Sequence, residues 1–506
     1  MKILLNIFKY ICLLLVVLIF LSSNWLLTNY GNITVDELLF HIFVPIITAE
    51  SSLINSFIIK SLIPSLIISS LFFSVSFCII KEIKKYNYFE LNIKIRHKTL
   101  SLNIGRNILL SLYILVEIFI ALYIIFISMD RLHIFEYIKE QRKNSTFIEE
   151  NHVNPKEINY IFPDKKRNLI YIYVESLEST YFSKEYGGGV DNNLLEPMMD
   201  LVEENMHFTN TEDLGGGALP LAGTGYTSAA LVAQTSGLPL KLNGNEINNS
   251  YGHQSFLKGA YTLGEILQSE NYNQMFMIGS NKQFGNRDIY FETHGNYVIY
   301  DYNTAKEKNK IPKDYHEWWG FEDSKLFQYA KEEITRLSKE DKPFNFTLLT
   351  ANTHHIGGYL EETCAQRFDD NYSNAIYCTA GQLYEFVSWI KEQNFYDNTA
   401  IIIVGDHLSM DPNFFKDIDS NYQRTIFNLF INPSITTENT NNRIFTTLDI
   451  FPTTLASMGV KIDGDRLGLG TNLFSNKKTI TEEYGFDYVD GEISKKSSFY
   501  NTKFVY

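Results

Sequence analysis

Residues 399–410 read Thr-Ala-Ile-Ile-Ile-Val-Gly-Asp-His-Leu-Ser-Met. The unbroken β-branched run 401–404 predicts a strand buried on both faces, as in parallel sheets covered by helices. Gly405 lets the backbone turn sharply after it, which sets Asp406 and His407 side by side at the strand's carboxyl end. A carboxylate beside an imidazole is the mixed donor set that suits Mn²⁺, Mg²⁺ or Zn²⁺.

Working outward, similar apolar runs at 168–174, 274–278 and 344–350 alternate with amphipathic stretches. That pattern predicts an α/β domain with a largely parallel central sheet. Each run ends in a polar cluster: Glu175-Ser176, Gly279-Ser280-Asn281, Asn352-Thr353-His354-His355 and Gly405-Asp406-His407. Ligand sites of open α/β sheets lie outside the carboxyl ends of the strands, so the clusters are expected to converge. Taken singly, each residue also has a plain structural reading, since an Asp or His after a strand commonly caps a helix.

Two further elements carry chemistry. Residues 223–230, Gly-Thr-Gly-Tyr-Thr-Ser-Ala-Ala, open a helix-like stretch at 231–235. A helix start rich in glycine and hydroxyls offers free N–H groups to a phosphoryl oxygen and a place for a hydroxyl nucleophile. It is not a Walker A loop, because no Gly-Lys-Ser/Thr follows. The bland alternative is that Thr227 or Ser228 only caps the helix. Arg287 offers a fork for a phosphate, with a surface ion pair to Asp288 or Glu292 as its alternative. His354 or His355 at a strand end is placed to hold or protonate a leaving oxygen, or else to pack as a structural histidine.

Upstream, residues 10–27, 54–80 and 108–129 are apolar and near the ~20 residues a membrane-crossing helix needs. The connection after the second carries Lys81, Lys84, Lys85, Lys94, Arg96, Lys98 and Arg106, whereas 28–55 holds only Asp36, Glu37 and Glu50 as charges. The positive-inside rule therefore puts the basic loop in the cytoplasm and everything after 129 on the far side of the membrane. Residues 38–49 are apolar but too short for a span and include Pro45, so they read as an interfacial or re-entrant piece. Glu117 and Lys60 lie within spans, where ionisable groups find a partner, line a cavity or snorkel. The expected organisation is an anchor at 1–129, a connector at 130–167 and an extracytoplasmic catalytic domain at 168–506.

Charge divides in the same place. Residues 1–129 hold ten basic and six acidic residues; from totals of 44 and 58, the remainder carries 34 and 52, a net of −18 against +4 in the anchor. So acidic a module is unsuited to coating nucleic acid. Cys12 and Cys78 fall in spans, leaving Cys364 and Cys378 for one disulfide in an oxidising compartment, or for two unrelated buried thiols.

Taken together, these motifs resemble the membrane-anchored phosphoglycerol transferases of the lipoteichoic acid synthase group, in the alkaline phosphatase/sulfatase superfamily. The likeness spans about 168–475 and rests on Val174-Glu175-Ser176, Gly223-Thr224-Gly225-Tyr226-Thr227, Asn286-Arg287-Asp288, the 348–355 run, and Gly405-Asp406-His407. Asp449-Ile450-Phe451-Pro452-Thr453 and Gly468-Leu469-Gly470-Thr471 also fit. The resemblance implies one divalent metal, Mn²⁺ foremost, on Glu175, Thr227, Asp406 and His407, with Thr227 as nucleophile. It further implies that Arg287 and His354, with His355 beside it, bind the substrate. The implied reaction moves glycerol phosphate from phosphatidylglycerol to an envelope glycan at the bacterial cytoplasmic membrane. Gly285 departs from the pattern, standing where lipoteichoic acid synthases have a tryptophan. Rival readings are a phosphoethanolamine transferase on the same residues and a membrane-anchored glycan-binding protein with a degenerate fold. A sulfatase is disfavoured because Cys364-Ala365-Gln366-Arg367 lacks the proline of the formylglycine motif.

Overall fold

The computed structural model of the chain describes residues 2–31, 33–44, 51–95, 98–242 and 255–505. It divides into two units, Met1–Ile33 with Glu50–Glu136, and Thr34–Ala49 with Tyr137–Tyr506.

The first unit contains three helices long and apolar enough to cross a membrane, Ile3–Tyr30, Leu53–Ile83 and Arg106–Arg131. Each outruns its hydropathic stretch at both ends. Glu117 on the third is paired: its carboxylate accepts from Lys9 Nζ at 2.8 Å and from Ser76 Oγ at 2.5 Å. Lys60 is exposed. Between the second and third helices, Tyr88–Ile95 and Lys98–Gly105 form an antiparallel hairpin. The charge-based reading treated this stretch only as a basic loop. Leu91, Ile93 and Ile95 alternating with Glu90, Asn92 and Lys94 carried the strand signal.

The second unit is built on a six-stranded sheet. Its strands are β1 (Asn168–Val174), β2 (Asn273–Ile278), β3 (Val298–Tyr300), β4 (Phe344–Leu349), β5 (Thr399–Gly405) and β6 (Asn428–Ile431). They lie in the order β3-β2-β4-β1-β5-β6, all parallel except the antiparallel edge pair β5–β6. β1 is buried along its whole length because both faces are covered. Leu169, Tyr171 and Tyr173 enter one core with the helix Thr227–Ser236, and Ile170, Ile172 and Val174 enter the other with Asp323–Leu337 and Asn371–Lys391. Each such side chain contributes about 1.5–3 kcal/mol by leaving water.

Two expectations change. The piece at 38–49 is not described beyond Val44, but its first half lies in a helix, α1 (Val35–Phe43), that belongs to the catalytic unit. Hydropathy alone could not distinguish a face buried in protein from one laid on lipid. Gly405 is needed for space rather than for a turn. It still lies in β5, and a Cβ there would come 1.9 Å from the Leu177 carbonyl oxygen. The structure joins Cys364 to Cys378 in a disulfide.

Candidate active site

β1 and β5 are neighbours, so the residues following them emerge together at the centre of the sheet's carboxyl edge. Glu175, Asp406 and His407 are all buried, and their ligand atoms lie within 4.8 Å of one another. His407 Nε2 stands 3.4 Å from Glu175 Oε1 and 3.3 Å from Asp406 Oδ2. The Leu408 carbonyl accepts from His407 Nδ1 at 2.8 Å, which fixes Nε2 as the nitrogen facing the carboxylates.

Backbone donors hold the acids in place. Asp406 Oδ1 accepts from the Ser176 and His407 N–H groups, both at 2.8 Å, and Ser176 Oγ donates to Glu175 Oε1 at 2.8 Å. Asp406 Oδ2 is buried and accepts no hydrogen bond among the described residues. Burial, then the nearby Glu175 charge, raise the Asp406 carboxyl pKa. Burial alone would lower His407, but the Asp406 and Glu175 carboxylates outweigh it and lift the imidazole to about 9. Two crowded acids, an oxygen without a donor and an imidazole held in its charged form all call for positive charge at one point. A divalent cation fits that donor set and would take the place of the Nε2 proton.

Thr227 opens the ten-residue helix α2 (Thr227–Ser236), after Tyr226 in extended backbone. Its Oγ1 lies 3.3 Å from His407 Nε2 and the residue is half-buried, within reach of a substrate. Gln234, two turns along α2, donates to the Gly405 carbonyl at 3.0 Å, tying the helix to the end of β5.

Arg287 begins α3 (Arg287–Thr293). Its Nε donates to the Phe284 carbonyl at 2.8 Å and its Nη2 to Ser280 Oγ and the Asn281 carbonyl at 3.1 and 3.0 Å. Burial lowers its pKa to about 10, which leaves it charged at neutral pH. The fork is thus fixed by its own loop rather than paired with Asp288 or Glu292. His354 gives Nδ1–H to the His355 carbonyl at 2.5 Å, so its Nε2 presents a lone pair. Burial lowers His354 to about 4, so it is neutral. His355 stacks behind it at 4.5 Å and is 3% exposed, on the protein side of the pair.

Sequence reasoning missed Trp319, whose ring lies 4.6 Å from His354 and 5.3 Å from Phe284. The Glu-Trp-Trp-Gly run at 317–320 was its only signal. Gly285 has φ +66°, a backbone conformation that side chains rarely adopt, and a Cβ there would lie 2.5 Å from Ser228 Oγ.

The fold is that of the sulfatase family, to which this chain belongs: the family model matches residues 167–460. More particularly, the chain is similar to phosphoglycerol transferase I of Xanthomonas campestris pv. campestris, 31% identical over 320 residues, 62% of this chain and 43% of that protein. It is also similar to phosphoglycerol transferase I of Escherichia coli O6:K15:H31, 32% identical over 278 residues, 54% of this chain and 35% of the relative. The chain thus spans less than half the length of these curated relatives. Among solved structures, the lipooligosaccharide phosphoethanolamine transferase A of Neisseria meningitidis superposes with a TM-score of 0.52 at 12% identity, covering 89% of this chain and 84% of the other. An alkaline phosphatase superfamily protein from Vibrio parahaemolyticus gives 0.50 at 23%, covering 65% and 76%. Both likenesses are of fold.

Proposed function

We propose that this membrane protein transfers glycerol phosphate from phosphatidylglycerol to a cell-envelope glycan, through a phosphodiester on Thr227. The observation that carries the reading is the Thr227 hydroxyl 3.3 Å from His407 Nε2, at a helix start whose Ser228 Oγ donates to the Gly285 carbonyl, two residues before the buried Arg287. The names of the curated relatives support it.

Glu175, Asp406, His407 and Thr227 would hold the cation, Mn²⁺ by preference, with Mg²⁺ or Zn²⁺ as alternatives. When bound, it lowers the pKa of a ligating hydroxyl and neutralises phosphate charge. Thr227 Oγ forms a bond to phosphorus while the bond from phosphorus to the diacylglycerol oxygen breaks, and that oxygen leaves with a proton as diacylglycerol. The α2 N–H groups and Arg287 take the phosphate oxygens. His354 Nε2, carrying a lone pair, accepts from a glycerol hydroxyl and is backed by His355. In the second displacement a sugar hydroxyl oxygen bonds to phosphorus and the Thr227 oxygen is released with a proton.

The three spanning helices suit a lipid donor, because they tether the unit at the surface where the head group lies. The basic connection at 81–106 would remain in the cytoplasm, with the catalytic unit outside the bacterial cytoplasmic membrane. Thr227→Ala is expected to lower diacylglycerol release from labelled phosphatidylglycerol by at least roughly 10⁴-fold, as for loss of a nucleophile. Release at the wild-type rate by that variant would remove Thr227 from the chemistry.

A further inference from the structure

The second spanning helix ends at Ile83 and the third begins at Arg106, and between them lies the hairpin of Tyr88–Ile95 and Lys98–Gly105. Its second strand runs straight into the third helix. Both ends of the hairpin are therefore held at one surface of the membrane that these helices cross. Side chains alternate between the two faces of a strand. Phe89, Leu91 and Ile93 share one face, where the register sets Phe89 opposite Ile104 and Leu91 opposite Leu102. The other face carries Glu90, Asn92 and Lys94 opposite Asn103, Ser101 and Thr99, and there Ser101 Oγ donates to Asn92 Oδ1 at 2.6 Å. Leu91, Ile93 and Leu102 are 49%, 42% and 48% exposed, so the apolar face is left uncovered among the described residues.

A two-stranded hairpin alone is at best marginally stable in water and needs something packed on an apolar face. Contiguous exposed apolar surface of this kind marks a site of association. Charge says with what. Residues 81–106 hold seven basic residues against two acids, Glu82 and Glu90, a net of +5. A second copy would bring the same positive charge to the contact and be repelled, whereas anionic phospholipid head groups answer it. Tyr86 and Tyr88, both exposed, stand where the second span passes into the first strand, and phenolic rings favour such a membrane–water boundary. The hydrocarbon interior is excluded, because open strand edges would be left unsatisfied there.

We propose that the hairpin is a membrane-surface element. Phe89, Leu91, Ile93, Leu102 and Ile104 lie in the interfacial layer of the leaflet that the hairpin borders, and the surrounding lysines and arginines bind anionic phospholipid head groups. The inference concerns the anchor unit and does not depend on the reading of the active site.

The test uses the full chain with Cys12→Ser and Cys78→Ser and with the Cys364–Cys378 disulfide kept. An environment-sensitive fluorophore is attached in turn to Leu91→Cys, Asn92→Cys, Ser101→Cys and Leu102→Cys. Each protein is reconstituted in vesicles of phosphatidylcholine alone and of equal parts phosphatidylcholine and phosphatidylserine, an anionic lipid other than the proposed donor. Emission is quenched from water by acrylamide and from the bilayer by a lipid-borne nitroxide. In the mixed vesicles acrylamide quenching is expected to be several-fold weaker at positions 91 and 102 than at 92 and 101, with nitroxide quenching in the reverse order. That contrast is expected to shrink in phosphatidylcholine alone. Equal acrylamide quenching at all four positions in the mixed vesicles overturns the proposal, because the hairpin then stands in water. Shielding at 91 and 102 without nitroxide quenching overturns it too, since protein then covers the face. The same contrast in both vesicle types overturns the role given to anionic lipid.

Discussion

Two clusters of ionisable groups, one in each unit, follow opposite rules. In the spanning helices Lys9, Ser76 and Glu117 close on one another, with Lys9 Nζ 2.8 Å from Glu117 and 2.6 Å from Ser76. Each charge has its counter-charge, and the cluster bridges all three helices. In the catalytic unit Glu175 and Asp406 crowd a single imidazole, and Asp406 Oδ2 is buried without a hydrogen-bond donor among the described residues. The first arrangement is complete as it stands. The second sets two buried carboxylates against one imidazolium, and such an excess of negative charge points to chemistry, because buried anions without full compensation are otherwise too costly to keep.

The contrast is broken most directly at Asp406. Asp406→Asn keeps the Oδ1 acceptor for the Ser176 and His407 N–H groups but removes one crowded charge. The variant is expected to lose nearly all transfer activity. Added Mn²⁺ is expected to raise the melting temperature of wild type and leave the variant unmoved, read by calorimetry of the detergent-solubilised protein. In excess EDTA the order reverses, with the variant at least as stable as wild type. The pH dependence follows from the sign of the shift. A carboxyl whose pKa is raised on folding contributes stability that is present below its ordinary pKa and lost as pH rises through the folded value of about 7. The EDTA advantage of Asp406→Asn should therefore grow between about pH 4 and pH 7. A wild type that melts lower than the variant with Mn²⁺ present would reverse the assignment of the two clusters.

A smaller effect is expected in the membrane cluster. Lys9→Met leaves the Glu117 carboxylate without its counter-charge and should lower the melting temperature, whereas Lys9→Met with Glu117→Gln should recover most of that loss. Neither is expected to change the half-saturating fraction of phosphatidylglycerol. A change there would make Glu117 a functional residue.

How far the sequence carried differs in the same two regions. The long apolar runs at 168–174, 274–278, 344–350 and 399–404 named four of the six strands, because strands covered on both faces leave no polar period to confuse them. Their carboxyl ends also named Glu175, Asp406, His407 and His354. The edge strands β3 and β6 are only three and four residues long, too short for a pattern. Trp319 joins His354 through a loop with no periodicity. The placement of α1 was hidden for a different reason. Its partners Tyr226, Phe256 and Phe284 lie roughly 190 to 240 residues downstream, and an apolar helix between two spans carries no local mark of which surface buries it.

The central claim is a covalent phosphodiester on Thr227. It is tested by incubating the full protein with phosphatidylglycerol and Mn²⁺ in the absence of a glycan acceptor, quenching with acid, and sequencing the proteolytic peptide that contains residue 227 by mass spectrometry. The account predicts a glycerol phosphate adduct on Thr227 that disappears when acceptor is added. An unmodified Thr227 while diacylglycerol is being released, or an adduct on another residue, would contradict it.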